Sequence, residues 1–193
     1  DDVESRGLGD VYKRQLDTVI IFDFSFLAVM ALVFLYCVPE TICIAACACM
    51  FHELGHIIAA LSLGVKINRV VFWAGGIRMI APPSLASYSR ETIVLLSGPA
   101  ANMLIAALMA FAGNDAAAGI NLAAGLFNLF PYSNLDGGAA LRSALHLSAG
   151  TVHAIAAVFT VLLSAFITVS GIASPGIWLI IFLLIVFEIF YSC

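Results

Sequence analysis

Apolar residues fall in long blocks along this chain, and short polar or glycine- and proline-rich stretches separate the blocks. A block of about 20 apolar residues is long enough for a helix to cross the hydrocarbon core of a bilayer. The pattern predicts an all-α polytopic membrane protein with about six transmembrane helices. The predicted spans cover residues 18–38, 41–63, 91–112, 116–130 (a short one), 152–173 and 177–191. A further short helix is predicted over residues 139–147.

The segment between the second and third blocks differs from the rest, because it carries charged residues and is too short to span a membrane. Arg69–Trp73 and residues 77–80 have strand-like composition on either side of the pair Gly75 and Gly76. Two short strands around a glycine pair are typical of a β-hairpin. We therefore expect an interfacial or re-entrant β-hairpin after the second span.

Composition agrees with a membrane protein. The chain is 63% hydrophobic and 10% charged, whereas a typical soluble domain has about 25% charged residues. The net charge of −4 and the absence of a basic patch exclude a nucleic-acid partner. Most of the five cysteines lie in or beside apolar blocks, so they are interpreted as small apolar residues rather than as a disulfide framework.

Domain organisation and orientation follow from the polar residues. Residues 1–15 form a polar tail, either native, truncated or a scar, and residues 16–193 form a single transmembrane domain. The predicted loops on one side of the membrane carry every lysine and arginine, and the loops on the other side carry none. Because positive residues favour the cytoplasmic side, both termini are expected there.

One stretch of the second span carries chemistry. His52 and His56 are four residues apart, so on a helix their imidazoles share a face and can bind one metal ion. Glu53 can then reach a water held by that ion. A chance match is the alternative, but burying three ionisable groups in lipid is costly, at about 2.5–3.5 kcal/mol for a charged group. We favour the metal site.

A catalytic zinc site needs a third protein ligand. Asp136 is the best candidate, because it follows the fourth span on a segment broken by Pro131 and lies at the same predicted depth and on the same predicted side as the histidines. The pair Gly137 and Gly138 is expected to break the helix there. An ordinary interfacial turn is the alternative for this Asp-Gly-Gly sequence taken alone.

Two separated motifs carry a resemblance to a known family. The sequence His-Glu-Leu-Gly-His at 52–56 and the sequence Asn-Leu-Phe-Pro-Tyr-Ser-Asn-Leu-Asp-Gly-Gly at 128–138 resemble the site-2 protease family of intramembrane zinc metalloproteases. Gly-Pro-Ala-Ala-Asn at 98–102 is similar to a further segment of that family. The predicted layout is most similar to the stage IV sporulation protease branch.

This resemblance implies a function. The chain is expected to be an intramembrane zinc endopeptidase in which His52, His56 and Asp136 hold one catalytic Zn²⁺ and Glu53 is the catalytic base. It would hydrolyse peptide bonds in or near transmembrane or membrane-associated segments, as in regulated intramembrane proteolysis. The expected partners are a membrane-protein substrate, the lipid bilayer and a regulatory membrane protein. The expected location is the bacterial cytoplasmic membrane, with the active site towards the cytoplasm.

Three further residues keep two interpretations each. Asn128 matches a family asparagine that would bond the substrate backbone or the oxyanion, and a helix-terminal cap is an equal alternative. Gly75 and Gly76 would pair with an unwound substrate strand or only anchor the chain at the membrane surface.

The remaining ionisable residues near the ends of the last two spans are His146, His153 and Glu188, and they are predicted to be interfacial. Competing functions are a non-proteolytic membrane metal-binding protein, such as a transporter, and an inactive scaffold that binds helices. A transporter would more often show internal repeats, which this chain lacks. An inactive scaffold would not need Glu53.

Overall fold

The described part of the chain is mostly helical. A computed structural model describes residues 19–22, 38–64, 69–73, 76–80 and 88–191. Its helices are α1 (Pro39–Ser62), α2 (Tyr88–Phe111), α3 (Asp115–Asn128), α4 (Asp136–Leu145), α5 (Ala149–Ser170) and α6 (Pro175–Tyr191). Its strands are β1 (Val19–Phe22), β2 (Arg69–Trp73) and β3 (Gly76–Ile80).

Three of these helices, α1, α2 and α5, are long and apolar enough to cross a membrane. The apolar part of α6 is shorter, and α3 has only 14 residues. Large apolar side chains remain exposed on the outer faces of the helices, for example Phe111 and Val169. Such a surface suits lipid better than water. A total of six spans stays a prediction.

The strands form one three-stranded sheet in the order β1-β2-β3. β2 and β3 pair antiparallel, with Trp73 opposite Gly76, and β1 pairs parallel to β2. The prediction of a helix from residue 18 is therefore wrong for Val19–Phe22, because this β-branched and aromatic run satisfies its backbone by pairing with β2. Residues 23–37 of that predicted span, the tail at 1–15 and Gly75 lie outside the described residues.

Glycines permit the close approach of the helices that carry the site. A side-chain carbon on Gly55 of α1 would lie 2.6 Å from the Ser97 carbonyl oxygen and 2.8 Å from Ala101 Cβ on α2. A side-chain carbon on Gly125 of α3 would lie 3.1 Å from the Pro99 carbonyl oxygen of α2. Helix α2 is thus packed tightly between α1 and α3, which brings its polar side chains to the histidines.

Helix α4 begins earlier than the sequence indicates. It begins at Asp136, so the expectation that Gly137 and Gly138 break the helix is wrong. Both glycines lie in its first turn, where a side-chain carbon would collide with the carbonyl groups of Leu129 and Tyr132. The glycines therefore let the start of α4 rest directly on the preceding loop.

Candidate metal centre

The site begins with a buried stripe on α1. Ala48, His52, His56 and Ala60 follow one another at intervals of four residues, and all four are buried. Intervals of four place side chains on one helical face. The neighbouring positions carry exposed apolar residues such as Leu54 and Ile58. The same helix can therefore face lipid on one side and present two imidazoles to the protein interior on the other.

Asp136, the first residue of α4, meets both imidazoles. Its Oδ2 lies 2.9 Å from His52 Nε2 and 3.2 Å from His56 Nε2. The two Nε2 atoms lie 3.1 Å apart. Three ligand atoms thus converge on one point, although Asp136 is 80 or more positions from the two histidines in sequence.

The outer nitrogens of both rings have partners that fix the tautomers. His56 Nδ1 donates to the carbonyl oxygen of Val94 at 2.7 Å. His52 Nδ1 lies 3.1 Å from Asn102 Oδ1, and Asn102 Nδ2 donates to the Ala48 carbonyl at 3.4 Å, which orients the amide. A carbonyl oxygen only accepts hydrogen bonds. Each neutral imidazole therefore carries its proton on Nδ1 and turns the lone pair of Nε2 inward.

The inward groups fit a zinc ion. Two imidazole lone pairs and one carboxylate oxygen are all acceptors, so they repel one another unless a cation lies between them. Tetrahedral zinc with bonds of about 2.0–2.1 Å separates its ligands by about 3.3 Å, close to the observed 2.9–3.2 Å. Two histidines and one carboxylate form a known catalytic zinc set.

Gly98 of α2 supplies the space beside these ligands. A side-chain carbon there would collide with His56 Nε2 and would lie 2.8 Å from His52 Nε2. Gly98 itself is buried. No larger residue fits at this position without displacing the imidazoles.

Asp136 enters the site as a carboxylate. Burial disfavours its charged form, and a cation held between it and the two imidazoles would offset that cost. Its position at the start of α4 is favourable too, since a helix N-terminus stabilises negative charge. The third predicted ligand is therefore brought to the histidines in the ionisation state that a metal requires.

Glu53 lies beside this cluster. It is partly buried on α1, and its carboxyl group is close enough to His56, His52 and Asp136 to interact with them electrostatically. A catalytic zinc site has three protein ligands and one position for water, so Glu53 is not needed as a ligand. The position suits a base that acts on a water at the cluster.

The other predicted site residues are Asn128, Gly75 and Gly76. Asn128 ends α3, and its Nδ2 donates to the Ala124 carbonyl of the same helix at 3.0 Å. Gly76 begins β3, and Gly75 is outside the described residues. A role for these three residues in binding substrate stays a prediction.

Two residues predicted to be interfacial contact each other. His153 Nδ1 lies 2.7 Å from Glu188 Oε1, and the Glu188 side chain is only 11% exposed. Glu188 also accepts hydrogen bonds from Ser133, in the loop before Asp136. The third such residue, His146, is exposed, ends α4 in a left-handed conformation and stacks its ring edge-on against Tyr88.

Sequence reasoning did not assign roles to Val94, Gly98 or Asn102. A motif match at 98–102 was visible, but the contacts themselves join residues 38 and 50 positions apart. Besides that match, the one available signal was an asparagine within an apolar block.

Comparisons with known proteins agree with this geometry. No protein-family model matches the chain. A Synechocystis sp. protein named "Putative zinc metalloprotease" is 32% identical over 105 residues, which cover 48% of this chain and 27% of that protein. The chain thus matches about a quarter of the length of that curated relative.

A solved structure shares the fold. The site-2 protease from Methanocaldococcus jannaschii superposes with a TM-score of 0.61 at 19% identity, over 92% of this chain and 89% of that one. At this identity the likeness concerns the fold alone. It supports the site-2 protease fold that the motifs predicted, whereas the sporulation branch stays a prediction.

Proposed function

We propose that this chain is an intramembrane zinc metalloprotease of the site-2 protease type. The observation that carries the proposal is the convergence of His52 Nε2, His56 Nε2 and Asp136 Oδ2 within 3.2 Å of one another. These groups lie on or against a helix that is long and apolar enough to cross a membrane. Both the named metalloprotease relative and the shared fold support the same reading.

His52, His56 and Asp136 would hold the zinc ion. When bound, zinc supplies Lewis acidity, which acidifies water and polarises the scissile carbonyl. Glu53 accepts a proton from water as the water oxygen forms a bond to the carbonyl carbon. Glu53 then returns that proton to the amide nitrogen as the carbon–nitrogen bond breaks. Asn102 and the Val94 carbonyl keep both imidazoles in the tautomer that leaves Nε2 free for the metal.

The substrates we propose are transmembrane or membrane-associated segments of other proteins. A helical substrate must unwind near the cut, because its carbonyls are hydrogen-bonded within the helix. Asn128, Gly75 and Gly76 are candidates to bind the unwound strand. The proposal also covers the setting of this reaction. It is regulated proteolysis in a bacterial cytoplasmic membrane, with the active site towards the cytoplasm. It further includes a regulatory membrane-protein partner and kinship with the sporulation branch.

The first prediction tests the role of Glu53. Replacing it by glutamine keeps its shape and removes the base, so cleavage of a helical membrane substrate by protein reconstituted in vesicles should fall by about 10²- to 10⁴-fold. Zinc content should be unchanged, because Glu53 is not a ligand in this proposal. Cleavage is followed by gel, and zinc by elemental analysis of the same sample.

The control is Glu40→Gln, which changes an exposed glutamate in the first turn of the same helix. It should cleave at the wild-type rate. If Glu53→Gln retains wild-type cleavage, the mechanism is wrong. If wild-type protein binds one zinc ion and cleaves no membrane segment offered, the non-proteolytic metal-binding function is favoured.

A further inference from the structure

A second polar cluster lies beside the metal centre, where α5, α6 and the loop at residues 129–135 meet. Ser133 of the loop, His153 of α5 and Glu188 of α6 form it, and we call these three residues the Ser133 clamp. Glu188 Oε2 accepts the Ser133 backbone N–H at 2.9 Å, and Oε1 accepts the Ser133 hydroxyl at 2.8 Å. His153 Nδ1 lies 2.7 Å from Oε1 and 3.4 Å from the Ser133 hydroxyl oxygen.

The position of this cluster in an apolar setting calls for an explanation. Glu188 lies in a helix that is otherwise apolar from Pro175 onward. An ionisable group among apolar helices is costly and is usually retained for function. A carboxylate that only capped a membrane surface would be exposed, whereas the Glu188 side chain is 11% exposed. Its two carboxylate oxygens contact one loop residue, Ser133, and one histidine, His153.

The loop residue that Glu188 holds leads directly to a metal ligand. The Leu135 N–H donates to the Tyr132 carbonyl at 2.9 Å, so residues 132–135 form a turn with Ser133 as its second residue. Asp136 follows this turn immediately and begins α4. Fixing the backbone of Ser133 therefore fixes the direction in which the chain enters α4.

The other side of the same loop is held by packing. Tyr132 is almost fully buried and packs against Ala156 and Leu184 of α5 and α6. Its hydroxyl lies 2.7 Å from Thr160 Oγ1, which itself donates to the Ala156 carbonyl, so the phenol is the donor. This contact orients the Tyr132 ring but does not hold the backbone of the turn. The backbone is held by the Ser133 clamp, through the hydrogen bond from the Ser133 N–H to Glu188.

We propose that Glu188 and His153 are positioning residues for the metal centre, which act through Ser133 to hold the Asp136 carboxylate against the two histidines. This inference rests on the proposed zinc site. Groups that orient metal ligands typically alter metal affinity by 10- to 100-fold when removed. Helices α5 and α6 thereby belong to the working site although they supply no ligand.

The test measures the metal directly in full-length protein in detergent. Glu188→Ala and Glu188→Gln are compared with Glu40→Gln, the exposed glutamate of α1. We expect Glu188→Ala to lower zinc affinity about 10- to 100-fold in competition with a chelating dye. Glu188→Gln should lose less, because its amide oxygen still accepts one bond from Ser133. Glu40→Gln should match wild type.

Cobalt supplies a readout that a loss of general stability would not change. Wild-type protein loaded with Co²⁺ should show the intense visible bands of a tetrahedral site. In Glu188→Gln, which preserves side-chain volume, these bands should weaken or shift while the melting temperature and helical content stay near those of wild type. Ser133→Ala should change the bands in the same direction.

The outcomes separate the two proposals. Wild-type protein that binds no zinc overturns the proposed function together with the zinc site. A second outcome is that the wild-type protein binds zinc and that Glu188→Gln keeps wild-type zinc affinity and unchanged cobalt bands. That outcome overturns the role of the Ser133 clamp and leaves the proposed function standing. If Glu188→Ala does not fold, the Glu188→Gln and Ser133→Ala spectra decide.

Discussion

At the scale of single residues, the candidate metal centre depends on groups outside its three converging side chains. Asn102 is fully buried and turns its amide oxygen to His52 Nδ1. The Val94 carbonyl does the same for His56. These two acceptors fix the tautomer and the orientation of each imidazole ring. On an isolated helix both would be free to vary. The two histidines therefore arrive at the site in the form that binds a metal.

Replacing Asn102 by alanine should weaken the metal site without removing a ligand. His52 would lose its acceptor and rotate more freely, so zinc affinity should fall about 10- to 100-fold. A matched control is Asn121→Ala, since Asn121 is also buried but bonds only within its own helix, to the Ala117 carbonyl. Zinc competition with a chelating dye compares the two. Equal affinities in the two variants would remove Asn102 from the site.

Gly98 should not tolerate even one methyl group. The new carbon would overlap His56 Nε2 and crowd His52, so Gly98→Ala should lose most of its zinc and its cleavage. Gly119→Ala is the control, because Gly119 is also helical and has no atom within 4 Å of the added carbon. Elemental analysis of the purified variants measures the effect. Full zinc occupancy in Gly98→Ala would show that the histidines have room to move.

At the scale of elements, the site is built where a long helix and a short one meet. Helix α1 carries both histidines and Glu53, and α4 contributes only its first residue, Asp136. The start of α4 rests on the loop before it through Gly137 and Gly138. Gly55 of α1 and Gly125 of α3 lie at the two interfaces with α2. Because these glycines lack side chains, α1, α2 and α3 come close enough for short polar side chains to meet.

A methyl group at the start of α4 should move the aspartate. In Gly138→Ala the added carbon would collide with the Tyr132 carbonyl, and overpacking of this kind costs about 1–3 kcal/mol. We expect a lower melting temperature and lower zinc affinity. Gly150→Ala is the control, since its added carbon meets only Ser148 Oγ, at 3.9 Å. If Gly138→Ala has the same melting temperature and zinc affinity as Gly150→Ala, α4 does not fit closely against the loop.

The long helices were predictable from sequence to within about three residues, because uninterrupted apolar blocks signal a helix whatever it packs against. The convergence of His52, His56 and Asp136 was also predicted, from spacing and predicted depth. The strand at Val19–Phe22 was not, because an apolar run alone does not distinguish strand from helix. The link from Glu188 to Ser133 was missed as well, since it joins residues 55 positions apart and depends on how the helices pack.

At the scale of the whole molecule, the polar groups of the candidate metal centre lie inside the protein, and apolar side chains dominate the described outer faces. Exposed leucines, isoleucines, valines and phenylalanines cover the outer faces of the described helices. Among the described residues, the buried polar ones are His52, His56, Asn102, Asn121 and Ser143. Three of them form or support the candidate metal centre, which agrees with the proposed hydrolysis within a bilayer.

The most direct test of the zinc site is a crystal structure of the wild-type protein with diffraction data collected on both sides of the zinc absorption edge. We expect one anomalous peak, present only above the edge, from a zinc ion bonded to His52 Nε2, His56 Nε2 and Asp136 Oδ2 at about 2.0–2.2 Å. A zinc peak at any other place, or zinc-loaded crystals with no peak between these three atoms, would contradict it.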